Sequence, residues 1–227
     1  MINCFSCLEC CFFEFYIHFM QGIKHIIFDL GGVILNIDYK RPIEAFKKLG
    51  IQDVEGLYSK QNQVELFDLL ETGKIDEAEF VKQIQQKSNV ELSHHDIITA
   101  WNSILLDFPL RRLQILQQLQ LHYSIFLLSN TNEIHEKAFN DMLKTTCGYP
   151  NLGIFFDKVY FSHRVGLRKP DPAIFELVLD ENKLDPEETL FIDDSPQHIE
   201  AAKSLHIHTI HMKDGMTMEH DIFLPKN

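Results

Sequence analysis

The sequence FDLGGVIL at residues 28–35 is the strongest indication of the fold of this chain. It follows the apolar run Ile23–Phe28, which predicts a buried strand that ends on a single carboxylate, Asp29, before a glycine turn. In open α/β sheets, ligands bind beyond the carboxyl ends of the strands. Because Gly31 and Gly32 carry no side chain, they leave room beside the backbone for a ligand or a metal ion. Asp29 is therefore the first candidate functional residue.

Three later stretches place further reactive groups at strand ends or in loops. Ser129 and Asn130 follow a predicted buried strand, Lys169 precedes a proline and a helix, and Asp193 and Asp194 follow a third strand. Carboxylate oxygens suit a hard divalent cation, and lysine and serine suit phosphate oxygens. A carboxylate can also act as the nucleophile that accepts a phosphoryl group. Together the four stretches predict a site for phosphate and magnesium.

Strands that alternate with helices predict a parallel sheet with right-handed crossovers. Beyond the first strand, the pattern predicts strands at Ser124–Leu128, Lys158–Phe161, Thr189–Ile192 and His208–His211, and helices at Leu110–Leu121, Asn132–Leu143, Asp171–Leu179 and Pro196–Leu205.

The segment between about Arg41 and Asp107 contains no strand-like run. Its helical spacing and capping residues predict helices at Pro42–Leu49, Val64–Leu70, Asp76–Gln86 and Ser93–Leu105. We therefore predict an α/β fold, a Rossmann-like parallel sheet flanked by helices, with an inserted all-helical cap over the mouth of the sheet. The predicted division is a leader at residues 1–20, a core at 21–38 and 108–227, and a cap at 39–107.

The charge balance limits the kinds of partner. The 227 residues include 21 Lys and Arg against 33 Asp and Glu, which gives a net charge of −12. This argues against a broad nucleic-acid footprint, and no apolar run reaches the roughly 20 residues needed to cross a bilayer. An anionic substrate therefore needs local positive charge, from Lys169 or a bound cation. We expect a small phosphorylated molecule as the partner, with no nucleic acid and no membrane, while the oligomeric state stays open.

Residues 1–19 differ from the rest of the chain. They carry four of the five cysteines, and Glu9 and Glu14 interrupt an apolar stretch that begins without a basic residue, which does not fit a secretory signal. The Cys-x-x-Cys-x-x-Cys spacing leaves a metal or iron–sulfur site as a minor alternative. The favoured interpretation is a disordered or mistranslated leader with Met20 as the effective start. Since Cys147 is single, a reducing cytoplasm is the expected location.

The four stretches, in this order and with a helical insertion between the first and second, resemble the haloacid dehalogenase superfamily of phosphatases. They read FDLGGV at 28–33, LSNTN at 128–132, RKPD at 168–171 and FIDDS at 191–195. The resemblance extends over residues 24 to about 211. Within the superfamily, the chain most resembles the bacterial α-D-glucose-1-phosphate phosphatase group, which also has Asp-Leu-Gly in the first motif and a similar helical cap.

The resemblance implies catalytic roles for three residues. Asp29 would attack phosphorus and form an aspartyl-phosphate, Ser129 would hold the transferring phosphoryl group, and Lys169 would neutralise charge on both. Ser129, Asn130 and Lys169 would bind the phosphate of the substrate. The implied activity is magnesium-dependent hydrolysis of a small phosphorylated metabolite, such as a sugar phosphate.

The resemblance also implies the ligands of one Mg²⁺ ion. They are an oxygen of Asp29, the backbone carbonyl of Gly31, Asp194 and Asp193. Magnesium would let two anions approach one another, whereas a cluster of acids without it would repel.

One position departs from the pattern of the superfamily. Most of its phosphatases have a second Asp two residues after the nucleophile, which protonates the leaving oxygen and later activates water, but here Gly31 holds that place. A positioned acid or base contributes about 10²–10⁴-fold. Three interpretations stay open: a substrate with a good leaving group, such as an anomeric phosphate; another acid from the cap or a water chain; or a protein that binds phosphate compounds with weak turnover.

Several further residues stay ambiguous. His198 holds a place where the superfamily often has Asp or Asn, and it either supports the metal ligands or lies solvated on a helix. Arg168 is expected at the surface. Asp38 and Tyr39 are minor candidates for the entrance of the site. Nothing in the sequence selects among the cap residues Glu65, Phe67 and Glu71.

Two other activities of the superfamily are disfavoured. A phosphomutase needs an acid/base that passes the phosphoryl group onward, and Gly31 has no side chain to supply one. The dehalogenases have no metal requirement, whereas the Asp193-Asp194 pair argues for a cation.

Overall fold

The computed structural model describes residues 20–51 and 60–223, so the cysteine-rich stretch 1–19 lies outside the described residues. At the centre is a parallel sheet of five strands in the order β3-β2-β1-β4-β5. The strands are β1 His25–Phe28, β2 Ser124–Ser129, β3 Lys158–Phe161, β4 Thr189–Asp193 and β5 His208–His211. The predicted strands are confirmed, although β1 starts two residues later than predicted and β2 and β4 each run one residue further.

Helices cover both faces of the sheet and also form a separate group after β1. They are α1 Lys40–Lys48, α2 Lys60–Glu71, α3 Glu77–Lys87, α4 His94–Asn102, α5 Leu110–Leu119, α6 Glu133–Cys147, α7 Ser162–Val165, α8 Pro172–Asn182 and α9 Pro196–Ser204. None of the helices in the described ranges is both long and apolar enough to cross a bilayer.

The central strand β1 is buried on both of its faces. Ile26 and Phe28 pack with Leu116 of α5 and Phe139 of α6, whereas Ile27 packs on the opposite face with Phe175 of α8. Successive side chains of a strand point to opposite faces, so the apolar run at 26–28 serves two cores at once. Parallel sheets need this double cover, and the predicted α/β fold is confirmed.

Helices α1–α4 form an apolar cluster of their own above the sheet. The cluster includes Phe46, Phe80, Ile97 and Trp101, and Ile134 of α6 completes it from below. Two chain connections lead into and out of this group, and they run side by side. Asn36 N donates to the Asp107 carbonyl, and Asp38 N donates to the Ile104 carbonyl, each at 2.9 Å.

Helix starts agree with the capping residues in the sequence. Asp76 accepts from Glu79 N at 2.9 Å, and Ser93 forms a capping box with Asp96. Such side chains satisfy backbone N–H groups that have no partner within the helix.

Several helix ends differ from the prediction, among them those of α4, α6 and α8, and α8 runs to Asn182 rather than Leu179. Helix α4 ends at Asn102 rather than Leu105, because residues 104–107 turn away to pair with residues 36–38. Helix α6 continues past Leu143 to Cys147, and Gly148 ends it in the left-handed conformation with φ 78°.

Short elements escaped the sequence prediction. They are α7, the 3₁₀ turns Leu152–Phe155 and Pro186–Glu188, and a π-helical turn at Met218–Ile222. Segments of three to five residues are too short to show a helical period, which is why the pattern did not reveal them.

Candidate active site

Asp29 lies at the carboxyl end of β1, in the middle of the sheet edge. Its backbone N–H donates to the Ile192 carbonyl of β4 at 2.9 Å, which fixes the residue beside the neighbouring strand. The carboxylate is almost fully buried, and Lys169 Nζ donates to its Oδ1 at 2.8 Å. The predicted meeting of the first and third motifs is therefore present.

The ammonium group of Lys169 is 0% exposed and has three acceptors. It donates to Asp29 Oδ1 at 2.8 Å, to Asp193 Oδ2 at 2.7 Å and to the Leu128 carbonyl at 2.8 Å. Burial alone would favour the neutral amine, but Asp193 and Asp29 raise the pKa of Lys169, so it stays charged. A fixed positive charge thus lies against the proposed nucleophile.

Asn130 holds the backbone of Lys169 in place. Its Nδ2 donates to the Lys169 carbonyl at 2.8 Å, and its Oδ1 accepts from Lys169 N at 2.9 Å. The side-chain amide therefore clamps the lysine loop, a role that its position after β2 did not reveal. Ser162 supports the same region, because its hydroxyl accepts from Thr131 N and donates to the Thr131 carbonyl, both at 3.0 Å.

Asp193 is fully buried, and hydrogen bonds reach both of its oxygens. Oδ1 accepts from Ser195 N at 2.7 Å and lies 2.9 Å from His198 Nδ1, while Oδ2 accepts from Lys169. Burial opposes ionisation, but Lys169 and His198 lower the pKa of Asp193 to about 2. His198 therefore lies against a carboxylate of the site rather than solvated on its helix.

Asp194 approaches the backbone of Gly32 so closely that any side chain at position 32 would displace its carboxylate. A Cβ at position 32 would overlap the carboxylate of Asp194, and Gly32 has φ 73°, which side-chain-bearing residues rarely adopt. The carboxylate of Asp194 thus occupies the space beside Gly32 where a side chain would otherwise lie. Burial and the charge of Asp193 raise the pKa of Asp194 to about 6.

Three carboxylates converge at this edge of the sheet. One oxygen each from Asp29, Asp193 and Asp194 lies within 4.8 Å of the others. Burial raises the pKa of Asp29 to about 7, Lys169 opposes the shift, and Asp193 and Asp194 add to it. The raised pKa values of Asp29 and Asp194 indicate repulsion within the cluster, which a divalent cation would relieve. Gly31 lines the same cavity beside Asp29.

Ser129 ends β2 and is almost fully buried at the base of the cavity. Its hydroxyl makes a long contact, 3.5 Å, with the Asn130 carbonyl. The hydroxyl can therefore turn toward an anion beside Asp29, in keeping with the predicted phosphate contact.

A cavity of about 600 Å³ lies between these residues and helices α2 and α4. Its floor includes Asp29, Ser129 and Asp194. Tyr39, Asp68, Glu71 and Arg168 supply polar groups on other sides. An apolar wall completes it, with Ile37, Phe67, Trp101, Ile104, Leu105 and Phe139.

Arg168 links the sheet edge to helix α2. Its Nη2 lies 2.8 Å from Glu71 Oε2, and its Nη1 contacts Asp68. Arg168 was expected at the surface, and this expectation was wrong, because the side chain lines the cavity one residue before Lys169. The sequence carried no signal for this contact, since it depends on how α2 docks on the core. The side chain of Glu65 lies outside the described residues.

Two residues that follow β1 have defined positions. Tyr39 lines the cavity, whereas Asp38 belongs to the paired connections and accepts from Lys40 N at 2.9 Å. Trp101 stacks between Phe67 and His135, with ring centroids 4.8 Å apart in each pair. This packing fixes α4 against α6 at the rim of the cavity.

Comparison with known proteins agrees with this geometry. The sequence profile of the haloacid dehalogenase-like hydrolases matches residues 23–206. D-ribitol-5-phosphate phosphatase of Bacteroides thetaiotaomicron is 35% identical over 193 residues, which is 85% of this chain and 93% of that protein.

Solved structures extend the likeness to three dimensions. A mutant of a haloacid dehalogenase family enzyme from B. thetaiotaomicron, in complex with magnesium and inorganic phosphate, matches with a TM-score of 0.80 and 37% identity, over 86% of this chain and 96% of that one. A HAD-like family hydrolase from Porphyromonas gingivalis gives 0.77 and 32%, over 86% and 93%. This chain therefore belongs to the haloacid dehalogenase-like hydrolases.

Proposed function

We propose that the protein is a magnesium-dependent phosphatase that hydrolyses a small sugar or polyol phosphate through an aspartyl-phosphate on Asp29. One observation carries the proposal: the buried Lys169 ammonium bonds both Asp29 and Asp193 beside a carboxylate cluster that suits a divalent cation. Phosphoryl transfer depends mostly on in-line positioning and charge stabilisation, and this arrangement offers both.

In the first half-reaction, a carboxylate oxygen of Asp29 attacks phosphorus and the bond to the leaving oxygen breaks. Lys169 offsets the negative charge on Asp29 and on the transferring phosphoryl group. The Ser129 hydroxyl donates to a phosphoryl oxygen, and Asn130 keeps Lys169 in register through its backbone. In the second half-reaction, water attacks the aspartyl-phosphate, which releases inorganic phosphate and restores Asp29.

The metal ligands in this proposal are Asp29, Asp194, the backbone carbonyl of Gly31, and Asp193. The raised pKa values of Asp29 and Asp194 support the first two. Asp193 already accepts hydrogen bonds on both oxygens, so its larger role is to hold Lys169 and His198. A bound Mg²⁺ would supply positive charge that lets the anionic substrate approach Asp29.

Helices α2 and α4, within a proposed cap at residues 39–107, bound the leaving-group side of the cavity. A volume of about 600 Å³ suits a small metabolite rather than a protein substrate. The relatives named for D-ribitol-5-phosphate and, in Thermotoga maritima, for phosphorylated carbohydrates support a sugar or polyol leaving group. A comparison of glucose 1-phosphate with ribitol 5-phosphate as substrates tests the more specific resemblance to α-D-glucose-1-phosphate phosphatases.

The deciding experiment measures phosphate release from ribitol 5-phosphate, glucose 1-phosphate and other sugar phosphates, with magnesium and with chelator. We expect hydrolysis only with magnesium, and none with Asp29→Asn. The matched control is Asp180→Asn, which makes the same change on the exposed surface of α8. Equal hydrolysis by the wild type and Asp29→Asn would refute the proposed nucleophile.

A second candidate is a protein that binds phosphate compounds with weak turnover. Gly31 favours it, because no carboxyl stands at the position where most related phosphatases have an acid. A single-turnover experiment, with the enzyme in excess over one ester, separates the two candidates. A phosphatase releases the alcohol within the first turnover, whereas a binding protein retains the intact ester over a much longer time.

A further inference from the structure

Gly31 leaves the proposed reaction without an acid at its usual place. A Cβ at position 31 would also lie 2.9 Å from Ile37 Cδ1, so the end of the Ile37 side chain borders the space where a carboxyl would stand. The proton that the leaving oxygen needs must therefore come from another wall of the cavity.

Several titratable groups along the described part of the cavity are already engaged. Asp29 and Asp194 belong to the proposed nucleophile and metal site. The Nδ1 of His198 lies 2.9 Å from Asp193 Oδ1 and is committed to that carboxylate. Asp29 and Asp194 are therefore unavailable to protonate a leaving oxygen, whereas His198 keeps its Nε2, and the comparison of esters below separates His198 from the groups on the cap side.

His135 and Arg168 are also unsuited to proton transfer. The His135 ring has Nδ1 at 3.1 Å from Asn132 Nδ2 and Nε2 at 3.4 Å from the Trp101 carbonyl, so both nitrogens are occupied. Burial lowers the pKa of His135 to about 4, which keeps the ring neutral. The guanidinium of Arg168 does not lose its proton in proteins.

Tyr39, Asp68 and Glu71 remain on the cap side of the cavity. Tyr39 is 63% exposed, which makes it the least enclosed of the three residues. Asp68 and Glu71 lie one turn apart on α2, and both contact Arg168, but the side chain of Glu71 is only 21% exposed against 34% for Asp68. Glu71 is thus the more enclosed of the two cap carboxylates.

The surroundings of Glu71 suit a group that both gives and takes a proton. Burial raises its pKa to about 7, Lys169 opposes the shift and Asp29 adds to it. The guanidinium of Arg168 at 2.8 Å favours the ionised form. Asp68 and Tyr39 are its other polar neighbours along the wall. A carboxyl that titrates near the working pH is effective in both directions.

We propose that Glu71 of the cap is the general acid and base that Gly31 cannot provide. This inference rests on the proposed function, since it assigns a proton donor to that same reaction. The cap would then take part in the chemistry as well as enclosing the substrate.

The proton balance closes over the two half-reactions. As the bond between phosphorus and the leaving oxygen breaks, the Glu71 carboxyl gives its proton to that oxygen, and the alcohol departs. The Glu71 carboxylate then takes a proton from water as the water oxygen attacks the aspartyl-phosphate. Inorganic phosphate leaves, Asp29 is restored, and Glu71 is protonated again.

The test compares wild type and Glu71→Gln on esters whose leaving groups differ in basicity. Glutamine keeps the shape but gives no proton. For ribitol 5-phosphate and glycerol phosphate we expect kcat to fall about 10²-fold or more. For p-nitrophenyl phosphate, whose phenolate departs without a proton, we expect a fall of less than about tenfold.

Asp68→Asn is the matched control, because it removes the other cap carboxylate that contacts Arg168. If the two carboxylates acted only by holding Arg168, removing either one would slow the hydrolysis of every ester by a similar factor. We expect that uniform effect from Asp68→Asn and a leaving-group dependence only from Glu71→Gln. Glu71→Asp, which keeps a carboxyl group, should recover part of the loss on alkyl esters.

The pH profile is an independent readout. In wild type, kcat for an alkyl ester should fall as the pH rises and Glu71 loses its proton. This decrease should be absent from the pH profile of Glu71→Gln. If wild type hydrolyses the esters and Glu71→Gln slows all of them equally, or none, the assignment of Glu71 is overturned and the phosphatase stands. If wild type hydrolyses no ester with magnesium, the proposed function itself fails, and Glu71 with it.

Discussion

The Cδ1 methyl of Ile37 occupies the space where a side chain at Gly31 would begin, since a Cβ built there would lie 2.9 Å from it. Gly31 does not have a positive φ, so the backbone itself would accept another residue. A carboxyl at this position therefore requires the end of the Ile37 side chain to move aside.

The first prediction concerns this pair. Gly31→Asp alone should gain little, because Ile37 must shift to admit the new carboxyl, whereas Gly31→Asp with Ile37→Val removes the obstructing methyl. We expect the double variant to raise kcat on alkyl phosphates by about tenfold or more, and by less on anomeric phosphates, whose leaving groups need less protonation. Steady-state kinetics on both ester classes measures the gain.

Two controls sharpen that prediction. Ile37→Val alone should change both ester classes by the same small factor. In a Glu71→Gln background, the double substitution should give a larger gain, because it then supplies the missing acid. An equal gain on alkyl and anomeric esters would contradict the leaving-group explanation.

The second prediction concerns the buried charge of Lys169. Lys169→Met leaves Asp29 and Asp193 without their shared cation, and removing one partner of a buried ion pair costs about 3–5 kcal/mol. We expect a loss of that size in the free energy of unfolding from denaturant titration, together with loss of hydrolysis. Lys203→Met is the control: its pair with Glu200 is exposed, so the free energy of unfolding should change by less than about 0.5 kcal/mol. A stable, active Lys169→Met protein would refute the role of the lysine.

Much of this site could be predicted from the residues that follow the ends of the strands. Asp29, Ser129 and Asp194 meet because parallel strands bring their carboxyl ends to one edge, a rule that needs only the strand pattern. The contact between Arg168 and Glu71 had no such rule behind it. It depends on how helix α2 packs against the edge of the sheet. Helical periodicity predicts which face of a helix is apolar, but it does not predict which surface that face contacts.

Asn130 shows the same limit on a smaller scale. Its place after β2 marked it as a site residue, but either a phosphate contact or a backbone clamp was compatible with that place. Only the paired bonds to Lys169 N and O, at 2.9 Å and 2.8 Å, reveal the clamp.

The third prediction links pH, stability and magnesium. Burial raises the pKa of Asp29 to about 7 and that of Asp194 to about 6, from an ordinary value of 3.8. Between about pH 4 and 7 the metal-free folded state therefore binds protons that the unfolded chain has released, so these groups lower stability as the pH rises. His135, whose pKa burial lowers to about 4, acts in the opposite sense below pH 6.5.

A comparison with Asp194→Asn isolates the cluster, because His135 is common to both proteins. The melting temperature of metal-free wild type should decline more between pH 5 and about 7.5 than that of the variant. Magnesium should raise the wild-type melting temperature more at the higher pH, since it binds ionised carboxylates. A magnesium effect independent of pH would argue against the cluster as the metal site.

The last prediction uses two glycines with the same backbone conformation. Gly32 and Gly166 both have φ 73°, but a Cβ at position 32 would overlap the Asp194 carboxylate, whereas nothing lies within 4 Å of one at position 166. Alanine at either position should share the penalty of a left-handed conformation, about 1 kcal/mol. Gly32→Ala should in addition displace Asp194 and weaken magnesium binding by about tenfold or more, as expected when a ligand loses its position. Calorimetric titration with magnesium measures the difference, and equal affinities in the two variants would mean that Asp194 does not hold the ion.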